Sequence, residues 1–194
     1  NIDSGSSTLT LESTNGTSIA SGQLAAVSDC SKSLVFAISS INGTTMSHAA
    51  GLGSLNNASS SFAINFQPGS QCIPLQQTAF FVGQGPGGQS ALMRATLNGN
   101  SWTVLPIIPG VEIIKAQYGI GSGGTVTQYL TADAVPDWSQ VYSIRLGFLI
   151  AGQLGSGSLN TTPYTVLDTS VTAPADTRLR HVLELTIYLR NALT

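Results

Sequence analysis

The chain has 194 residues, enough for one domain with a real core or for two very small ones. Only 8% of its residues are charged and the net charge is −2, with seven basic residues scattered from Lys32 to Arg190. That balance argues against binding nucleic acid through its phosphates and against attachment to an anionic membrane surface. A typical soluble domain carries about 25% charged residues, so Ser, Thr, Asn, Gln and Gly must supply the polar surface here, as in extracellular β-rich proteins and fibre subunits.

Strand patterns dominate from the start. "STLTLES" (7–13) alternates, with Leu9 and Leu11 on one face. "QLAAVSDC" and "SLVFAISSI" read as two more strands joined by a turn at Ser28–Lys32. Residues 42–61 are rich in Gly, Asn, Ser and Ala and read as a long surface loop. "SFAINF" (61–66) is short and alternating, and "QTAFFVG" (77–83) reads as a buried strand. "GQGPGGQ", "SALMRATL", "NGN" and "SWTVLPI" then read as turn, strand, turn, strand.

"GVEIIKAQYGI" alternates strictly, which places Glu112, Ile114, Ala116 and Tyr118 on one side and Val111, Ile113, Lys115 and Gln117 on the other. "GSGG" turns it into "TVTQYLTAD". "DWSQVYSIRLGFLIAG" is the longest apolar run, with Tyr142, Ile144, Leu146, Phe148 and Ile150 on one face. A loop over 152–163 precedes "YTVLD", a short edge strand. The last segment, "ADTRLRHVLELTIYLRN", puts His181, Leu183, Leu185, Ile187 and Leu189 on one side of a half-buried strand. A helix carrying Leu179, Leu183 and Ile187 on one face is the alternative. The expected fold class is mainly β, one globular domain over residues 1–194. A sheet of this size needs a second layer, and a helix for it would come from a missing amino terminus or a partner. No signal peptide or transmembrane stretch is present, as expected of a mature fragment that lacks its natural start.

Chemistry-bearing patterns are thin. Cys30 and Cys72 lie in turn-like surroundings, and a disulfide between them is favoured over two free thiols; it would close a loop of about 40 residues and add roughly 3–4 kcal/mol. Gly83, Gly85 and Gly88 match G-x-G-x-x-G formally, but "SALMRATLNGN" is too short for the helix a nucleotide needs, so a glycine-rich hairpin is read instead. His48 and His181 have no nucleophile elbow or metal-ligand spacing around them, so neither hydrolase catalysis nor a metal or cofactor is expected. Asp133 and Asp137 read as a solvated turn rather than a calcium site. Asn15, Asn42, Asn57 and Asn160 begin sequons that chance explains. Trp102 and Trp138 read as core or sheet-edge residues rather than sugar platforms.

The ordered set "QLAAVSDCSKSLVFAIS", "SALMRATL", "PGVEIIKAQYGI", "QYLTADAV", "DWSQVYSIRLGFLIAG" and "DTRLRHVLELTIYLRN" resembles the type IV pilus assembly protein W (PilW) family of minor pilins, from about residue 8 to 191. The resemblance implies a pilin-like antiparallel sheet with additional strands, α+β once an absent N-terminal hydrophobic helix is counted. It implies a non-catalytic subunit of a tip complex that primes pilus assembly. The implied partners are other minor pilins, the major pilin and a large tip adhesin. The implied location is the periplasmic face of the bacterial inner membrane, then the extracellular pilus, with the membrane met only through the absent helix. In the terminal strand the apolar row would face the core, with Arg180 and Arg190 facing water or a neighbour. A J-type pseudopilin of type II secretion and a glycan-binding β-sandwich adhesin are the competing readings.

Overall fold

The structure is a computed structural model that describes residues 4–13, 19–51, 57–98 and 101–189. Among the described residues it is mainly β, as the alternating patterns require. The strands are β1 (Thr8–Thr10), β2 (Leu24–Ser28), β3 (Ser33–Ala37), β4 (Ser40–Asn42), β5 (Thr45–Ser47), β6 (Gln71–Leu75), β7 (Thr78–Gln84) and β8 (Ser90–Asn98). They continue with β9 (Ser101–Pro109), β10 (Val111–Ser122), β11 (Thr125–Leu130), β12 (Val141–Ala151), β13 (Tyr164–Val166), β14 (Thr169–Val171) and β15 (Arg180–Tyr188). The chain divides into two compact units, Asn1–Ala79 with Ala95–Leu105 and Phe80–Arg94 with Pro106–Thr194. The division falls within β7, β8 and β9, which form a three-stranded sheet in that order.

In the first unit β2 lies between β3 and β6, and β5 between β1 and β4. Alternation puts Ala25 and Val27 inward, where they meet Phe36, Ile38, Met46, Phe62 and Phe66 in one buried cluster. Burying side chains of this size stabilises by roughly 1.5–3 kcal/mol each. Asn57 is the polar plug of this core. Its Oδ1 accepts from the Ala37 N–H at 2.7 Å, and its Nδ2 donates to the carbonyls of Ala37 and Ala49 at 2.8 and 2.9 Å.

Several expectations change here. The stretch read as a surface loop over 42–61 carries β5, and Met46, His48 and Asn57 in it are buried. Short polar neighbours hid these anchors, because period and composition weigh a whole window rather than one residue. "SFAINF" forms no strand, yet Phe62 and Phe66 are core residues. "QTAFFVG" is a strand, but an edge one, and Phe80 and Phe81 are exposed. Cys72, placed in turn-like surroundings by "GSQCIP" (69–74), lies in β6. The "NGN" turn falls partly outside the described residues.

Both cysteines stand as free thiols, Cys30 exposed and Cys72 half-buried, where desolvation pushes its pKa up. Register sets Cys72 opposite Val27 on β2, while Cys30 lies beyond the end of β2 with φ 68°.

His48 gives this unit an acid sensitivity. Its ring stacks on Phe62 at 4.6 Å and meets the edge of Phe36 at 5.7 Å, and its Nδ1 has no hydrogen-bond partner. Burial lowers its pKa from the ordinary 6.5, with the Ser60 backbone opposing the shift. A lowered folded-state pKa means that the unfolded chain binds the proton more readily. The stabilisation is therefore complete above pH 6.5 and is lost as pH falls below it towards the lowered value. Hydrogen exchange in β3 and β5 is expected to accelerate between about pH 7 and pH 5, after correction for intrinsic rates, and His48→Phe is expected to abolish that change. Equal acid sensitivity in the variant would remove His48 as its source.

Candidate interaction surface

The second unit contains a four-stranded antiparallel sheet in the order β11-β10-β12-β15. Residues paired across neighbouring strands share a face, so the register writes the surface directly. Leu130, Tyr118, Ile144 and Ile187 form one cross-strand row; Ala116, Leu146 and Leu185 form the next; Ile114, Phe148 and Leu183 the third. Every one of these residues is apolar or aromatic. Exposure rises toward the β15 edge, where Leu183 is 50%, Leu185 37% and Ile187 47% exposed.

The opposite face is covered along β12, while Lys115, Glu184, Thr186 and Tyr188 on it are exposed. Leu149 and Ser143 on β12 are fully buried, and the hairpin β13–β14 packs over Gly147. Gly119 faces Ser143, where a Cβ would fall 2.2 Å from its hydroxyl. Arg145 stacks its guanidinium over the Tyr129 ring at 4.1 Å.

Arg180 closes the end of the sheet. Its side chain is 1% exposed. Nε and one terminal nitrogen donate to Glu112 at 2.7 and 3.0 Å, and the two terminal nitrogens donate to Asp176 at 2.7 and 3.0 Å. Glu112 reaches it because the β10–β12 register shifts between Val111 and Ile113, leaving Glu112 unopposed. A bulge of this kind re-aims a side chain. Hydrogen bonding from Arg180, more than charge alone, holds the Asp176 carboxyl below its ordinary 3.8, and the two carboxylates hold the guanidinium proton more firmly than usual.

This inverts the expected orientation of the terminal strand. β15 is a strand and not a helix, but its apolar row is exposed and Arg180 is buried; Arg190 lies outside the described residues. Strict alternation also misplaced Val111, which pairs with Ile150 on the apolar face because of the bulge. The missed signal was a lone carboxylate in the apolar "GVEII" and the Asp176–Arg180 pair ahead of a strand.

The other singled-out residues do not converge. His181 is exposed and pairs with Ile150 across β15 and β12, while His48 lies in the core of the first unit. Asp137 accepts from the Ser139 N–H and hydroxyl at 2.9 and 2.7 Å, and this lowers its pKa. The Thr131 hydroxyl does the same for Asp133. Gly83 lies in β7, and Gly85 and Gly88 belong to the β7–β8 connection, which holds a short 310 turn at Pro86–Gly88. Trp138 is exposed and meets Tyr118 edge-on at 4.8 Å, and Trp102 is exposed on β9. Asn57 and Asn160 spend their amides on internal hydrogen bonds, Asn42 is exposed at the end of β4, and Asn15 lies outside the described residues. Among the described residues no three His, Cys, Asp or Glu side chains group to hold a metal ion, and no helix is long and apolar enough to cross a membrane.

A family model described as "Type IV Pilus-assembly protein W" matches residues 79–191, a span that contains the whole four-stranded sheet and the Arg180 cluster. No curated protein and no solved structure matches the chain.

Breaking the Arg180 cluster is expected to cost about 3 kcal/mol in Arg180→Met, because removing one partner strands the others; the partial exposure of both carboxylates keeps the loss at the low end. Arg180→Lys keeps the charge without the two forks and is expected to fall between. The lowered Asp176 pKa adds stability that is present above pH 3.8 and lost as pH falls below it, and this acid limb should disappear in Arg180→Met. Urea midpoints over that range, with unchanged m-values, are the measurement.

Proposed function

The chain belongs to the Type IV Pilus-assembly protein W family, and on that premise we propose that it is a minor pilin, a non-catalytic subunit of the complex that primes pilus assembly at the tip. Residues 1–194 would act as one globular minor-pilin domain. Its partners are other minor pilins, the major pilin and a large tip adhesin. Its locations are the periplasmic face of the bacterial inner membrane before assembly and the extracellular pilus afterwards.

The observation that carries this reading is the open apolar face of the four-stranded sheet. A monomer that ended there would leave Leu183, Leu185 and Ile187 in water. At about 25 cal/mol per Å² of apolar surface, covering three such half-exposed side chains gives a few kcal/mol to any element laid across them. A helix about 10 Å in diameter spans the rows of β12 and β15, whose axes lie about 4.8 Å apart. The hydrophobic helix expected before the described fold, or a neighbouring subunit's helix, supplies such an element. Low charge fits the same role, since like charges on repeated subunits would oppose close packing.

The test is reconstitution with the soluble domains of the other minor pilins of the same source, read by size exclusion with light scattering. A defined heteromeric complex is expected. Leu185→Glu is expected to weaken it at least about tenfold, the 1.4 kcal/mol equivalent of one lost apolar contact, without changing the urea midpoint of the isolated chain. Monomers with every candidate, together with unchanged pilus assembly in cells carrying Leu185→Glu, would sink the reading.

A further inference from the structure

Between β12 and β15 the chain makes an excursion through residues 152–179. Its neck is closed by the Gly152 N–H donating to the Leu179 carbonyl at 2.8 Å and the Gly157 N–H donating to the Thr177 carbonyl at 2.9 Å. Arg178 Nη1 adds a bond to the Gly152 carbonyl at 2.8 Å. The hairpin β13–β14 stands within this excursion and folds back against β12 and β15.

The attachment of that hairpin is narrow. Leu167, 2% exposed, is the apolar knob. It sits on Gly147, where even a Cβ would fall 2.7 Å from the side chains of Leu167 and Val166. One strong polar bond joins it to the sheet, from the Leu167 N–H to Glu184 Oε1 at 2.8 Å. The second is long, from Gln117 Nε2 to the Leu167 carbonyl at 3.5 Å, and the buried Gln117 Oε1 beside it has no partner.

Two features oppose the attachment. Leu167 and Asp168 both hold left-handed backbone, at φ 46° and 61°. Two such residues in a two-residue hairpin turn suit Asn and Gly, not a branched leucine. A two-stranded hairpin is also marginal by itself. Strain of this kind persists only where surrounding contacts hold it, and here they are the buried Val166 and Leu167 side chains, one short bond to the Glu184 carboxylate and one long bond from Gln117.

We propose that β13–β14 is a latched strap, which opens as a unit about its neck and uncovers Gly147 and the Gln117 carboxamide while the four-stranded sheet stays folded. The latch is the Leu167 knob together with the buried Val166 beside it. The turn strain and the unpaired Gln117 oxygen set it close to release. This device is independent of the pilus reading and concerns the opposite face of the sheet.

Hydrogen exchange on the whole chain, read by mass spectrometry, tests it. Peptides covering 164–171 are expected to exchange at least about tenfold faster than those of β12 and β15, as a separate opening unit does. Leu167→Gly removes the knob, a loss of buried side chain that outweighs the relief of its own left-handed strain, and is expected to raise hairpin exchange about tenfold further with β10 and β12 unchanged. Asp168→Gly relieves strain without touching the knob and is expected to slow hairpin exchange about threefold; it also serves if Leu167→Gly does not fold. Exchange of the hairpin in step with β12 and β15, acceleration of the whole sheet in Leu167→Gly, or faster opening in Asp168→Gly would each overturn the strap.

Discussion

Four charge-assisted hydrogen bonds converge on Arg180, and the arrangement of the second unit follows from where that side chain sits. Taking a guanidinium out of water is unfavourable by several kcal/mol unless its donors are matched in geometry and charge. Two carboxylates on opposite sides of the fork do this, each bidentate. One comes from β10, two strands away, and the other from the segment just before β15. The cluster therefore ties the start of β15 to the start of β10 across β12, and it anchors the return of the 152–179 excursion. A lysine, with one compact charge on a flexible stem, has no equivalent geometry. The bulge at Glu112 belongs to the same constraint, since regular alternation would not leave that carboxylate unopposed beside Arg180.

Fixing that end fixes the sheet's two faces. A one-residue slip of β15 on β12 would carry Leu183, Leu185 and Ile187 to the side of Glu184 and Thr186. It would also pull Arg180 away from both carboxylates, so the cluster selects the register that leaves the apolar row open. The other face is filled from within by Val166 and Leu167 resting on Gly147. The sheet thus has one side that its own chain covers over β12 and one side whose β15 row is uncovered.

The strand pattern of the second unit was legible because long alternating runs leave little choice. β10, β12 and β15 fall where the periodicity puts them, and "GSGG" marks the β10–β11 turn. What could not be read was which face would be covered. Alternation separates two sides of a strand but does not say which side is inside, and Arg180 followed by an apolar row was read the wrong way round. Short segments failed for another reason. β5 and β6 are held by pairing with the distant β1 and β2, so their own sequences carry almost no signal. His48 and Asn57 are core residues in the first unit because Phe62 and Ala37 receive them, and nothing within several residues of either announces it.

The low charge of the chain takes on a structural meaning once the ions are placed. With seven basic and nine acidic residues in all, gathering Glu112, Asp176, Arg178 and Arg180 at one end of the sheet leaves the apolar rows without a charge among them. An isolated soluble domain normally interrupts such a face, because contiguous exposed apolar patches beyond a few hundred Å² invite association. Here the interruption is missing, and β15, which exposes Leu183, Leu185, Ile187 and Tyr188, is also a sheet edge, the position that folds usually blunt with Lys or Pro. β15 carries neither within Arg180–Tyr188. A surface that omits the ordinary protections against association, in a member of a pilus-assembly family, is the surface that the proposed packing against another pilus component would cover.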